Sequence, residues 1–356
     1  LKLFSCTACG HLAYFENTRC THCGKTLGFL PGQLRLVALE PDNNLWRISH
    51  SDDPRRWRTC QNQLQHNVCN WMLDSEENDA FCLACRLNRT IPDLSIAGNL
   101  QLWRKLETEK RRLVYSLLRL NLKIQPLGES PEGLAFDFLA DQPTFNERGR
   151  VLTGHAQGVI TLNISEADPV LREKMRSEMA EPYRTVLGHF RHESGHFYWD
   201  RLIRDSNALE SWRSLFGDER LDYSQALNNH YTQGPPGDWP ERFVSAYAAS
   251  HPWEDWAETW AHFLHIVDTL ETAHQFGLRT APPNGDEENL SLDEPLNAYH
   301  EPDFNKVFDH WLALTIALNS LNRSMGHDHA YPFVLTETIK QKLAFVHAQV
   351  RYAGSE

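Results

Sequence analysis

The stretch RHESGHFYW, residues 191–199, decides how the larger part of this chain is read. His192 and His196 are four residues apart, so on a helix their imidazoles project from one face about one turn from each other, which suits a single tetrahedral zinc. Glu193 follows the first of them, where it can take a proton from zinc-bound water without being a ligand itself. The flanks favour a helix. In EPYRTVLGHFRHESGHFYWDRLI, Pro182 suits a first helical turn, and Val186, Leu187, Phe190, Phe197 and Leu202 recur at helical spacing. With 18 histidines in 356 residues, chance supplies such a five-residue match about 0.06 times, so the reading needs a third ligand. His189, three before His192, would overfill the helix face and reads as a surface or outer histidine.

Working outward, the expected third ligand is Glu258, in HPWEDWAETWAHFLHI (residues 251–266). Pro252 can start a helix there, and Trp253, Trp256, Trp260, Phe263 and Leu264 form a broad apolar stripe. Zinc sites with a carboxylate as third ligand take it from a separate downstream helix, and a polar group one turn later steadies a ligand. Glu258 fits the first role and His262 the second. Asp255 is the rival ligand and Glu254 a weaker one, since acidic residues at a helix start also complement its dipole.

Eight cysteines, arranged mainly as CxxC pairs, indicate metal binding in a reducing compartment rather than a disulfide frame. Cys6, Cys9, Cys20 and Cys23 make a complete tetrathiolate set, each pair followed by a glycine at Gly10 and Gly24. Cys60, Cys69, Cys82 and Cys85 form a second, less regular set, around which Trp46, Trp57 and Trp71 could pack. Iron is possible on the second set's ligands alone, but nothing in the sequence selects it. Short strands are expected at residues 34–39 and 45–48. Arg55, Arg56 and Arg58 read as a solvated basic patch, with a nucleic-acid contact as the lesser reading.

The net charge of −12 is unevenly placed. Residues 1–93 are balanced, with ten Lys/Arg and ten Asp/Glu, so the rest of the chain carries all of it. That argues against tight backbone-driven nucleic-acid binding by the later part. No run of eighteen apolar residues exists, and LKLFSCTACGHLAYF lacks the charged-then-apolar order of a secretion signal. The expectation is a cytoplasmic protein without a membrane partner.

After residue 93, helical periodicity begins. Leu102, Leu106, Leu113, Leu117 and Leu120 mark an amphipathic helix over residues 99–122. Strands are expected at 134–139, 151–153 and 159–164, the last as an edge strand to which an extended substrate could add, or as a plain structural strand. Helices follow at 169–179, 224–231, 304–323 and 336–352, with GPPGDW a loop able to cover the cleft. The expected organisation is α+β: a zinc-ribbon, rubredoxin-like β region over residues 1–93, then a mainly helical zincin-like metallopeptidase domain with a small sheet over 94–356.

CTAC and CTHC, CNWM, CLACRLNRTIPDLS, FRHESGHFYWDRL, FGDER with DYSQAL, and SAYAASHPWEDWAETWAHFLHI together resemble bacterial zinc-binding metallopeptidases that carry an N-terminal zinc-ribbon region. The resemblance covers nearly the whole chain. It implies a gluzincin-like HExxH peptidase with His192, His196 and Glu258 as ligands and Glu193 as base.

The reaction so implied is peptide hydrolysis with one catalytic and two structural Zn2+, acting on a peptide or protein. The ribbon would recruit substrate, or a protein or nucleic-acid partner. An oxyanion donor is sought among Tyr247, His251 and Tyr223, in that order. The alternative is a ribbon scaffold that binds protein or nucleic acid and holds the HESGH zinc structurally. A likeness to DNA-repair proteases ranks low, because no histidine follows between Phe197 and Asn229 and the later part is acidic.

Overall fold

The computed structural model describes residues 2–141, 151–178, 185–283, 290–292 and 294–354. It is a mixed α+β protein whose N-terminal strand region carries the cysteine clusters and whose remainder is helical with a small sheet. Two compact units emerge: residues 1–119 with 123–178, and residues 120–122 with 179–356. These units, defined by contacts within the fold, divide near residue 178.

In the first unit, β1 (Phe4–Ser5) and β2 (Leu12–Ala13) pair antiparallel and place Cys6 and Cys9 in the turn between them. The Gly10 amide donates to the Cys6 carbonyl at 2.8 Å, and the Gly24 amide repeats this on Cys20 at 3.0 Å. Both glycines sit at positive φ, 76° and 73°, which a side chain would strain. The CxxCG pattern therefore encodes the same knuckle twice.

A five-stranded antiparallel sheet follows in the order β3 (Thr26–Leu30), β4 (Arg35–Asp42), β5 (Leu45–Ile48), β6 (Trp57–Thr59) and β7 (Met72–Asp74). Leu30, Val37, Leu39, Ile48, Trp57 and Met72 form its core, with Trp46 packed against them. Trp71 instead joins Phe15, Phe29 and Tyr115 in an aromatic cluster, with Phe15–Phe29 and Phe29–Trp71 centroids both 4.9 Å apart. Tyr115 belongs to the long helix α3, which comes after α1 (Gln61–His66) and α2 (Leu83–Arg86) and spans Asn99–Arg119. Helix α3 is thus built into the ribbon's core, which is why the unit extends beyond residue 93.

A four-stranded sheet orders β10 (Gly154–Ala156), β11 (Val159–Asn163), β9 (Ala135–Leu139) and β8 (Asn88–Thr90). Strand β11 pairs antiparallel with β10 and parallel with β9, so both its edges are occupied. The expected edge strand for substrate addition is therefore an interior strand. No regular strand forms at 151–153; its place is taken by β10. Helix α4 (Pro169–Glu178) closes the unit.

The second unit is helical: α5 (Val186–Leu202), α6 (Leu209–Phe216), α7 (Tyr223–Gln233), α8 (Trp239–Arg242), α9 (Pro252–Phe276), α10 (Phe304–Ser324) and α11 (Glu337–Ala353). Its core includes Phe190, Phe197, Trp212, Trp256, Trp260, Leu264, Trp311 and Leu343. Among the described residues no helix is long and apolar enough to cross a membrane.

Candidate metal centre

Helix α5 opens at Thr185, whose hydroxyl accepts from the Gly188 amide at 2.9 Å; Pro182 lies outside the described residues. Residues 190–199 are all buried, so this is a core helix rather than a one-sided amphipathic one. His189 is only half-buried. Gly195 permits the approach of α9, since a Cβ there would stand 2.9 Å from Ala257 Cα. The indoles of Trp256 and Trp260 donate to the Gly195 carbonyl at 2.8 Å and the Ser194 hydroxyl at 3.1 Å. The two helices are therefore locked in rotation as well as in distance.

That lock brings three donor atoms together. His192 Nε2 and His196 Nε2 are 3.2 Å apart, and Glu254 Oε2 lies 3.0 Å from the first and 3.4 Å from the second. A tetrahedral zinc with nitrogen and oxygen ligands near 2.05 Å has ligand–ligand edges of about 3.3 Å. The triangle already has the size of one zinc face. Glu254 is 1% exposed, and its Oε2 has no hydrogen-bond partner despite the close imidazoles, because neither contact has hydrogen-bond geometry. A buried carboxylate oxygen set beside two imidazole nitrogens at these distances is a donor set that fits a cation.

The expected ligand Glu258 stands elsewhere. Its Oε1 is 2.7 Å from His192 Nδ1, and its Oε2 accepts from the Ser245 hydroxyl at 2.6 Å. It grips the far nitrogen of the imidazole whose Nε2 faces Glu254. Glu258 is thus a carboxylate behind a histidine, and Glu254, one turn earlier, is the ligand candidate. The expected pattern of a ligand and a steadying group four residues apart is present, but shifted by one turn. The physical reason is the level at which the helices cross: Gly195 packs on Ala257, which leaves Glu254 facing the Nε2 atoms and Glu258 behind Nδ1 of His192. Asp255, the other rival, is bound to Lys342 Nζ at 2.6 Å. His262 touches no proposed ligand atom; its Nδ1 is 2.6 Å from the Tyr331 hydroxyl.

Electrostatics match this arrangement. Burial works against a charged Glu258, yet the hydrogen bond to His192 and its charge hold the carboxyl down to about 2. Burial likewise opposes charge on His192, but Glu254 and Glu258 flank it and raise its pKa well above the usual value. Positive charge is strongly favoured at that point. Burial pushes the Glu193 carboxyl up, opposed by the two imidazoles. Among the described residues no side chain hydrogen-bonds the Glu193 carboxyl, which leaves it able to take a proton.

The donor candidates separate cleanly. His251 caps α9: its Nδ1 accepts from the Trp253 amide at 3.1 Å and its Nε2 stands 3.2 Å from the Leu221 carbonyl. With both ring nitrogens on backbone, His251 has none for a substrate, and its expected role falls away. Tyr223 donates to Glu254 Oε1 at 2.6 Å and so fixes the ligand candidate's second oxygen. Tyr247 packs with its ring 5.9 Å from that of His192, and its hydroxyl contacts Tyr223. Tyr247 keeps its candidacy.

Both cysteine sets converge. Cys6 and Cys23 sulfurs are 3.7 Å apart, Cys9 and Cys20 3.6 Å, and Cys69 and Cys82 3.6 Å. Zinc–sulfur bonds near 2.3 Å give tetrahedral edges of about 3.8 Å, so both sets fit the metal. In the first set Cys9 and Cys23 are exposed, whereas all four cysteines of the second are buried. Two arginines of the basic patch are paired with carboxylates, Arg55 with Asp53 at 2.6 Å and Arg56 with Asp42 at 2.5 Å, while Arg58 donates to the backbone carbonyls of Glu77 and Asp79.

A family described as "Putative zinc-binding metallo-peptidase" matches residues 99–349, and a zinc-ribbon domain matches residues 3–96. The chain belongs to this metallopeptidase family. Uncharacterized proteins of Mycobacterium bovis and of two Mycobacterium tuberculosis strains are 42% identical to it over 352 residues, covering 98% of this chain and 95% of theirs. No solved structure matches it. Family membership makes zinc the metal to consider at all three clusters. The sequence reading ranked Glu254 below Glu258 and Asp255, because an acidic residue at a helix start also complements the helix dipole. Ser245 and Tyr223, which set the two carboxylates, carried no sequence signal of that role.

Proposed function

We propose that the chain is a zinc-dependent peptidase whose catalytic centre comprises His192, His196 and Glu254 as ligands and Glu193 as the proton carrier. The observation that carries this reading is the meeting of two imidazole nitrogens and the buried Glu254 Oε2 at 3.0–3.4 Å, with Glu193 close enough to interact electrostatically with all three. Zinc held there supplies a Lewis acid that polarises a peptide carbonyl and acidifies water. Glu193 removes the proton from the attacking water as its oxygen bonds to the carbonyl carbon. The same carboxyl then delivers that proton to the departing amine nitrogen as the C–N bond breaks. Its raised pKa, caused first by burial, suits both steps. Glu258 holds His192 with Nε2 free for coordination. Tyr247 serves as the hydroxyl donor to the developing oxyanion.

The substrate in this proposal is a peptide or an unfolded protein, with two further zinc ions in the ribbon as structural metals. Zinc content and cleavage of an unfolded protein mixture, compared for wild type and Glu193→Gln, test it. Cleavage by wild type alone, at equal zinc content, is expected. Equal zinc with no cleavage by either protein would favour a scaffold that merely holds the metal.

A further inference from the structure

Helix α3 carries three charged residues that water does not reach. Glu107 and Lys110 are 0% exposed and Arg111 is 5% exposed. Such groups are costly to bury unless each has partners. Lys110 Nζ pairs with Glu107 Oε1 at 2.9 Å and also donates to Asn88 Oδ1. Asn88 Nδ2 donates to the same Glu107 oxygen at 2.7 Å. Arg111 donates to the Val68 carbonyl at 2.5 Å, beside Cys69, and its closest carboxylate contact is Glu107 Oε2 at 3.8 Å. Cys85 Sγ lies 3.9 Å from that same oxygen.

The charges in this cluster do not cancel. Two cations face one carboxylate, so the helix brings one surplus positive charge to a buried place. Four protonated thiols could not balance it. A divalent metal held by four thiolates carries a net charge of −2, which this surplus cation offsets in part. Further donors point the same way: the Trp71 amide reaches Cys69 Sγ and the Cys82 amide reaches Cys60 Sγ, both at 3.4 Å. Arg111 interacts electrostatically with Cys69, Cys82 and Cys85 together.

We propose that Arg111 is a positioning residue for the second metal: its buried charge compensates the metal–tetrathiolate of Cys60, Cys69, Cys82 and Cys85 and thereby fastens helix α3 to the ribbon. Residues 88 and 107–111 straddle the segment where the ribbon match ends and the peptidase match begins. The second metal then does not belong to a detachable recruiting module. It is part of what holds the first helix of the peptidase region in place.

The test uses the full chain with Cys9→Ser and Cys23→Ser, loaded with Co2+, because the sulfur-to-cobalt absorption band then reports the second set alone. Competition with a chelator gives the affinity. Arg111→Met is expected to weaken it about tenfold or more, and Arg111→Lys, which keeps the charge, to stay within about threefold of the parent. Glu107→Gln removes the opposing charge beside Cys85 and is expected to tighten binding. That opposite sign is what a purely structural role would not produce. Weakening by both Arg111→Met and Glu107→Gln, equal affinity in Arg111→Met and the parent, or no sulfur-to-cobalt band in the parent would each overturn the proposal. Should Arg111→Met fail to fold, the opposed expectations for Arg111→Lys and Glu107→Gln still decide it.

Discussion

Glu254 and Glu258 sit one turn apart on α9 and engage opposite nitrogens of the same imidazole, Nε2 of His192 at 3.0 Å and Nδ1 at 2.7 Å. The relationship assigns them unequal tasks. Glu254→Ala removes the proposed ligand and is expected to abolish zinc binding at this site while the ribbon metals remain. Glu258→Gln loosens only the orientation of His192 and is expected to lower affinity about 10–100-fold. Zinc content after dialysis, followed by chelator competition, separates the two. Complete loss in Glu258→Gln with retention in Glu254→Ala would reverse the assignment.

Much of this arrangement was legible in the sequence because it is local. CxxCG fixed the knuckles, since two sulfurs and one left-handed glycine are set within five residues. HESGH put His192 and His196 on one helix face, with Glu193 next to the first, by helical spacing alone. What was not legible depends on how separate elements meet. Glu254 and Glu258 share a face of α9, so choosing between them requires the level at which α5 crosses that helix, which Gly195 and the two indoles set. His251 looked like a catalytic donor and is a helix cap, because only the fold places the Leu221 carbonyl against its ring. Strand β11 looked like an edge because a sequence does not reveal which strand a distant one will cover.

Gly195 is expected to tolerate no side chain. Replacing an exposed helical glycine by alanine gains about 1 kcal/mol. Here the added Cβ meets Ala257 Cα at 2.9 Å and the Trp260 side chain at 3.1 Å, and overpacking of that kind costs about 1–3 kcal/mol. Gly195→Ala should therefore lower the denaturation midpoint. It should also weaken zinc binding, since parting the helices draws Glu254 away from the imidazoles. A midpoint at or above wild type would show that the crossing is not tight.

Tyr223 and Tyr247 should separate by what they change. Tyr223→Phe leaves the buried Glu254 Oε1 without its 2.6 Å donor; a hydrogen bond to a charged group contributes about 1.5–3 kcal/mol. Zinc affinity is expected to fall about tenfold or more. Tyr247→Phe takes a contact from Tyr223 but keeps the Tyr223 donor on Glu254, so zinc binding should largely hold while the cleavage rate falls about 100-fold. If Tyr247→Phe cuts at the wild-type rate, the oxyanion donor must be sought elsewhere.

His262 gives the protein an acid sensitivity away from the metal. Burial is the first cause that pulls its pKa down to about 4, with Glu258 opposing and Arg191 assisting. The unfolded chain takes up this proton near pH 6.5, the folded chain only near 4. Between those values the unfolded state binds more protons, so stability is full above 6.5 and is lost as pH falls toward 4. The loss from this one residue approaches about 3 kcal/mol at the lower end. His265 adds to it in the same direction, since burial also holds its pKa well below the usual value. Urea unfolding at pH 7 and pH 5, in wild type and His262→Gln, measures the term as a difference in which common metal loss cancels. The variant should lose less stability on acidification, and equal losses in both proteins would remove His262 from the account.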